Sequence, residues 1–156
     1  MPAVSPEPAF VEHERRWIVG HGKADLDLLE RSLQSGDFLE RAGLNPRLSM
    51  GEIELRPGWG ILRPFRMRLT VVDRIRQSRR RGIVLATQQG HALLGSETFL
   101  GELLDDGSVL FTLSEQSRIA PGVWRLGAPL VRLSQRALLE RYGEAMRASI
   151  AALRRR

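Results

Sequence analysis

Apolar and polar positions follow two rhythms along the chain, and the switch between them divides it into parts. His13 to Gly20 (HERRWIVG) fits a first strand, closed by Gly20 and Gly22. From Lys23 to Gln34, Leu26, Leu29 and Leu33 recur at helical spacing, and Gly36 supplies a stop. Asp37 can cap a second short helix through Ala42, ended by Gly43 and then Pro46. From Leu48 the period falls to two. Strands are predicted at Leu48–Arg56, Phe65–Ile75, Arg81–Gln88, Leu93–Leu104 and Ser108–Ser117, each bounded by Gly, Pro or a charged turn. Trp59–Leu62 stays open as a further short strand, because Gly58, Gly60 and Pro64 flank it. Successive strands without helices between them imply an antiparallel sheet. The helical period returns at about Pro129, a residue suited to a first helical turn. Gln135, Leu139, Tyr142, Met146, Ile150 and Leu153 then share one face, and Arg132, Arg136, Glu140 and Arg147 another. A helix of about 25 residues would be roughly 37 Å long, enough to cross a whole sheet and bury its stripe there.

The turn Asp105-Asp106-Gly107 determines which residues face inward. A two-residue turn would pair Asp105 with Ser108 and put Val109, Phe111 and Leu113 on the face of Leu100 and Glu102. A three-residue loop with Gly107 in the left-handed conformation pairs Leu104 with Ser108 instead. That register sets Leu103 opposite Val109, Gly101 opposite Phe111 and Phe99 opposite Leu113, so large residues meet large ones or a gap, and it is preferred. It also sets Glu97 opposite Glu115 and Gly95 opposite Ser117 on the same inward face. Carboxylates directly across a pair have Cβ atoms about 4.5–5.5 Å apart, where one carboxyl tends to hold its proton. The pair is therefore either an acid/base device, or a polar rim to a cavity, or a site that water, Arg118 or Arg132 neutralises.

Composition narrows the classes. The chain has 156 residues, 42% of them hydrophobic, enough for one domain with its own core. It has no Cys, which excludes a disulfide scaffold, a thiolate zinc site, an iron–sulfur cluster and a cysteine nucleophile. Residues 1–12, with Pro2, Pro6 and Pro8, read as a flexible lead-in, and 13–156 as the domain. The first residues lack a basic segment followed by an apolar one, and the longest uncharged stretch, Gly82–Ser96, is too short to span a bilayer. A cytoplasmic protein without a membrane span is the expectation.

The formal charge is +6, and its placement is uneven. Residues 63–81 carry 8 basic side chains and 1 acidic one, while residues 1–62 carry 7 and 10. Lys23 is the only lysine among 24 basic residues. In FRMRLTVVDRIR, Arg66, Arg68, Arg74 and Arg76 share one parity, and Met67, Leu69, Val71 and Ile75 share the other with Asp73. Strict alternation predicts one arginine-lined sheet face, a candidate surface for an anion or an acidic partner. Only Phe65 supplies an aromatic there, and no helix-turn-helix, zinc-finger or RNP pattern occurs, which argues against nucleic acid. The histidines His13, His21 and His91 have no metal-ligand spacing, and no GxGxxG, P-loop or GxSxG occurs, so no metal or cofactor is expected.

Several segments resemble a bacterial and plant family, domain of unknown function nineteen-ninety. They are Val71-Val72-Asp73, Ala86-Thr87-Gln88-Gln89-Gly90-His91, Gly95-Ser96-Glu97-Thr98-Phe99, Gly107-Ser108-Val109, Ser117-Arg118, the run Leu126–Arg136, Tyr142 and Ala145-Met146. The resemblance runs from about Arg66 to Met146. The family's Gly-Thr-Leu-Pro-Gly-His turn is altered here, its Gly-Glu-Glu becomes Gly95-Ser96-Glu97, and Ile119 replaces the proline after Ser-Arg. Glu115 stands where the family is small or apolar. The family is similar to the helix-grip superfamily of birch-pollen-allergen-like, lipid-transfer and polyketide-cyclase-like domains. The implied fold is α+β: a curved antiparallel sheet wrapped around a long C-terminal helix, with two short helices after the first strand.

Three functions are expected in turn. The first is binding of a small hydrophobic molecule between sheet and C-terminal helix, with Thr87, His91, Glu97, Phe99, Glu115, Ser117, Arg118, Gln135 and Tyr142 as contacts. The second is a cyclase- or hydratase-like enzyme with Glu97 or Glu115 as general base. The third is an interaction module using Arg66, Arg68, Arg74 and Arg76.

Overall fold

The computed structural model describes residues 9–60, 63, 66–88, 90 and 92–156. β1 (Val11–His21) leads into α1 (Gly22–Ser35) and α2 (Asp37–Arg41). β2 (Arg47–Ser49), β3 (Glu52–Leu55), β4 (Met67–Arg76), β5 (Arg80–Thr87), β6 (Leu93–Leu103) and β7 (Ser108–Ile119) follow, then a one-turn α3 (Val123–Leu126) and the long α4 (Ala128–Arg154). The strands form one antiparallel sheet in the order β1-β7-β6-β5-β4-β3-β2. β1 and β2 lie on opposite edges, so α1 and α2 carry the chain across the sheet. α4, at 27 residues, spans about 40 Å on the same face. Among the described residues, no helix is long and apolar enough to cross a membrane.

The start of α1 shows why the helix begins where it does. Asp25, in its first turn, accepts a hydrogen bond at 2.8 Å from the backbone N–H of His21, the residue that precedes the helix. Arg154, at the end of α4, meets the same carboxylate with two bonds of 2.7 Å. α1 therefore joins the last turn of α4 to β1. Between the helices and the sheet lies an aromatic centre. Phe38 and Tyr142 each pack edge-on against Phe99, with ring centroids 5.1 Å apart, and Phe111 stacks on Phe99 at 6.2 Å.

Three features differ from the sequence reading. Leu48–Arg56 is not one strand but the hairpin of β2 and β3, because Met50 and Gly51 both adopt positive φ (44° and 81°) and turn the chain. Val11 and Glu12 belong to β1, paired with Ser117 and Gln116, so the sheet begins inside the predicted lead-in. The third difference concerns the arginines. Val71 pairs with Leu85 and Asp73 with Val84, which makes Val72 the extra residue of a β-bulge. One inserted residue sends every later side chain to the opposite face. Arg68 thus stays outside, across from Glu54, while Arg74 and Arg76 pair with Ile83 and Arg81 on the face that bears α1. Arg66, Arg68, Arg74 and Arg76 do not form one surface. In the Trp59–Leu62 segment, the Trp59 indole donates to the Ala42 carbonyl at 3.0 Å from a loop, and residues 61 and 62 lie outside the described set, as does Phe65.

At Gly101 the sheet leaves no room between itself and α1. A Cβ there would come within 2.7 Å of both methyl groups of Leu29, itself fully buried. Glycine inside a strand ordinarily weakens it, so alanine would elsewhere be neutral or better. Here Gly101→Ala should destabilise the protein by about 1–3 kcal/mol through overpacking. Urea denaturation of Gly101→Ala, Leu29→Ala and the double variant checks this: the double variant should be more stable than the sum of the single losses.

Candidate functional site

Five of the residues singled out in the sequence converge between β6, β7 and α4. The three-residue turn sets Gly107 at φ 88°, with Leu104 N–H donating to the Ser108 carbonyl at 2.8 Å. From there the ladder places Glu97 opposite Glu115 and Gly95 opposite Ser117, as the preferred register requires. α4 brings Arg132, Gln135, Leu139 and Tyr142 over these residues at three- and four-residue intervals.

The polar groups form a relay. Arg132 Nη1 donates to Gln135 Oε1 at 2.8 Å and to Ser117 Oγ at 3.0 Å. Gln135 Nε2 donates to Glu115 Oε1 at 2.5 Å and to Ser117 Oγ at 3.0 Å. The amide of Gln135 thus passes the positive field of Arg132 to one oxygen of Glu115. The other oxygen, Oε2, is buried and meets no donor among the described residues. Among the described residues, Glu97 has no comparable support.

This asymmetry separates the two carboxyls. Burial and the charge of Glu115 push the Glu97 carboxyl well above the usual carboxylate range. Burial also raises Glu115, but hydrogen bonds from Gln135 and Ser117 and the charge of Arg132 oppose the rise. The proton shared by the pair therefore resides on Glu97, and Glu115 is the anion. Glu97 is only half-buried by accessible area, but it lines a small cavity among apolar side chains, which sets its carboxyl against a poorly hydrated wall. Burial, then the neighbouring carboxyls of Glu97 and Glu115, raise the Tyr142 phenol well above its ordinary value and keep it protonated.

These groups form the polar end of a cavity whose walls are Leu55, Met67, Leu69, Leu93 and Leu139. Its volume is about 30 Å³. That admits a single water, against the roughly 300–1,000 Å³ of an ordinary ligand pocket. The apolar wall residues were legible as inward strand positions but not as a cavity, because a void depends on how far α4 stands off the sheet. His13 is a further member of the row that sequence reasoning missed. It stands opposite Glu115 across the β1–β7 pair, its Nε2 is buried without a partner among the described residues, and burial, then Arg132, Arg15 and Arg136, hold its pKa below the ordinary value. Its parity in HERRWIVG was the available signal.

The remaining predicted contacts fall elsewhere. Thr87 Oγ1 accepts from the Gly95 N–H at 2.9 Å and joins β5 to β6 outside the cavity. Phe99 is wholly buried in the aromatic centre. Arg118 pairs with Leu94 on the outer face, its guanidinium 5.2 Å from the Phe10 ring, so Arg132 and not Arg118 serves the acid pair. His91 lies outside the described residues. Among those residues, no group of three or more His, Asp or Glu side chains could hold a metal ion.

The raised Glu97 carboxyl has a consequence for stability. The native state keeps a proton that the unfolded chain releases near pH 4.5, so stability is lost as pH rises above that value. Glu97→Gln removes the loss. Denaturation from pH 4 to 8 should show the variant near wild type at pH 4 and increasingly more stable above it. The gain is about 1.4 kcal/mol for each pH unit over which only the native state holds the proton. Parallel profiles would show that Glu97 ionises in the folded protein.

Solved structures share this architecture at low identity. A hypothetical protein from Helicobacter pylori superposes with a TM-score of 0.58 at 15% identity, covering 93% of this chain and 92% of its own. The major latex-like protein 151 of Panax ginseng gives 0.55 at 10%, covering 90% and 97%, and Ara h 8.0201 gives 0.50 at 14%, covering 92% and 99%. The last two are Bet v 1-like proteins, and the likeness establishes the helix-grip fold alone. No curated protein matches in sequence. The family described as Domain of unknown function (DUF1990) matches residues 2–145, nearly the whole chain, and the protein belongs to that family.

Proposed function

We propose that the protein binds a small, largely apolar molecule between the sheet and α4, with a hydrogen-bonding head group held by Glu115, Glu97 and Tyr142. The observation that carries this reading is Glu115 Oε2, a buried acceptor on an anion that borders the cavity and has no donor among the described residues. A buried ion without its full complement of partners is costly, and a ligand donor removes the cost. The present volume of about 30 Å³ means that the ligand makes its own room. The packing around the cavity supports this. Most buried apolar side chains belong to one large cluster, but Ala92, Leu93, Ile119 and Val131 form a second, small one under the first turns of α4. The cavity lies on the seam between them. Lifting the first turns of α4 breaks the small cluster and leaves the large one intact.

Native mass spectrometry of protein purified from its own cells should show a retained small molecule. Glu115→Gln, which keeps the volume and removes the charge, should lower its occupancy roughly tenfold or more, the scale of a hydrogen bond to a charged group. Bare chain mass for the wild-type protein would overturn the reading.

A second reading has one observation in its favour. Burial and the Glu115 charge push the Glu97 carboxyl further up than that of Glu115, which Gln135, Ser117 and Arg132 hold down, so the more acidic and the more proton-retaining member of a carboxyl pair stand side by side. An enzyme of cyclase or hydratase type could use both. In that case Glu97→Gln and Glu115→Gln should each abolish turnover of the retained molecule in a folded protein, and unchanged turnover would reject it.

A further inference from the structure

We infer that α3 and the first turns of α4 dock the protein on an anionic lipid surface. Val123, Leu126, Leu130 and Leu133 are 73%, 88%, 51% and 63% exposed. Val123 and Leu126 lie three apart on α3, and Leu130 and Leu133 three apart on α4, so each pair shares one side of its own helix. Gly127 separates the two helices, at φ −97° and ψ 13° with its N–H on the Arg125 carbonyl, and both helices turn their other side to the same small cluster. The opposite side of the same segment, Trp124, Ala128 and Val131, is packed on Ala92, Leu93 and Ile119. The exposed aliphatics are therefore not the surplus of a poorly packed helix but a second apolar face.

The charge around this face says what covers it. From Gln116 to Leu139 the chain has no Asp or Glu, whereas Arg118, Arg125, Arg132 and Arg136 all fall within it. On α4, Arg132 and Arg136 are four residues apart and share one flank of the helix beside Leu133, and on α3 Arg125 adjoins Leu126. Arg125 and Arg136 are exposed, and Arg132 is held by Ser117 and Gln135. A surface meant for a second copy of this chain would set these arginines against each other across a two-fold axis, with no acid in the segment to balance them. An interfacial helix on an anionic bilayer has this composition: aliphatic side chains on one side and arginine on its flank, without acidic residues. The chain is thereby seated with the small cluster and the cavity seam next to the lipid. The inference requires no bound ligand, so it can fail or hold independently of the cavity reading.

Co-sedimentation with vesicles tests it. The wild-type protein should pellet with phosphatidylcholine vesicles containing phosphatidylglycerol, and much less with phosphatidylcholine alone or at high salt. Leu126→Glu/Leu130→Glu should weaken partitioning roughly tenfold or more, and Arg125→Glu/Arg136→Glu should do so on the anionic vesicles only. These side chains are exposed, and an unchanged Tm shows that the fold survives. Met50→Glu, on the fully exposed β2–β3 turn, should bind as wild type. Wild-type protein left in the supernatant would overturn the inference, as would an equal loss in Met50→Glu. A concentration-dependent dimer abolished by Leu126→Glu, without vesicle binding, would assign the face to a second copy instead.

Discussion

The left-handed backbone at Gly107 governs the register of β6 on β7, and through it the identity of every residue on the inner face of the central sheet. A side chain at this position would be strained at φ 88° and would also meet the His21 imidazole at 2.6 Å, so the turn has no room for another residue type. The Gly107 carbonyl accepts from Gly22 N–H at 2.7 Å, which ties the turn to the start of α1. With Leu104 thus paired to Ser108, Phe99 and Phe111 must enter the aromatic centre, Gly101 must lie beneath Leu29, and Glu97 must face Glu115. A slip of one residue would expose the aromatics and send both carboxylates to solvent. The acid pair and the core are consequences of the same turn, which is why a costly buried anion persists in a well-packed protein.

Much of the fold could be read before any coordinates because local rules agreed with one another. The leucine spacing of α1, the glycine stops and the stripe on α4 each pointed to one element, and their order left little choice of topology. Register was legible for β6 and β7 because competing turns predicted different faces, one of which paired large residues sensibly. The β4 arginines show the opposite case. Alternation through Val71 and Asp73 looked unbroken, and nothing in the residue types announced that Val72 would bulge. A single extra residue then reversed the parity of Arg74 and Arg76. Gly51 was a better signal that went unused, since a glycine inside an apparent strand marks a turn or bulge. Thr87, Phe99 and Arg118, expected among the ligand contacts, lie respectively on the β5–β6 join, in the aromatic centre and on the outer face, positions that depend on the pleat and the core packing.

The basic surplus also changes meaning once partners are visible. Arg76 and Arg81 approach Glu30 at 3.4 and 3.1 Å, Arg66 and Arg68 approach Glu54, Arg79 meets Asp105 at 3.0 Å and Arg80 meets Glu102 at 3.6 Å. The acidic N-terminal segment and the basic middle segment, separate in sequence, are largely complementary in space. Most of these pairs are exposed and each adds little stability. Their effect is to remove the middle segment as a concentrated cationic surface. The stretch from Gln116 to Leu139 has a smaller surplus and, between Glu115 and Glu140, no acid of its own.

α4 is held unequally along its length, and this links the site to its surroundings. Near its C-terminus, Arg154 grips Asp25, the Ser149 hydroxyl lies 2.6 Å from that of Ser32 and 2.5 Å from the Asp37 carboxylate, and Met146 and Ile150 are buried in the large cluster. Near its N-terminus, Val131 and the Arg132–Gln135–Ser117 relay supply the contacts. A helix clamped at one end and lightly held at the other moves, when it moves, about the clamp. The light end carries the groups that stabilise the Glu115 anion, so any lift of α4 withdraws the Gln135 amide and the Arg132 field from that carboxylate. Its pKa then rises unless something else donates to it. A ligand donor, or a proton, is what the lifted state requires, and the opening of the cavity and the chemistry at its polar end are therefore one coupled equilibrium.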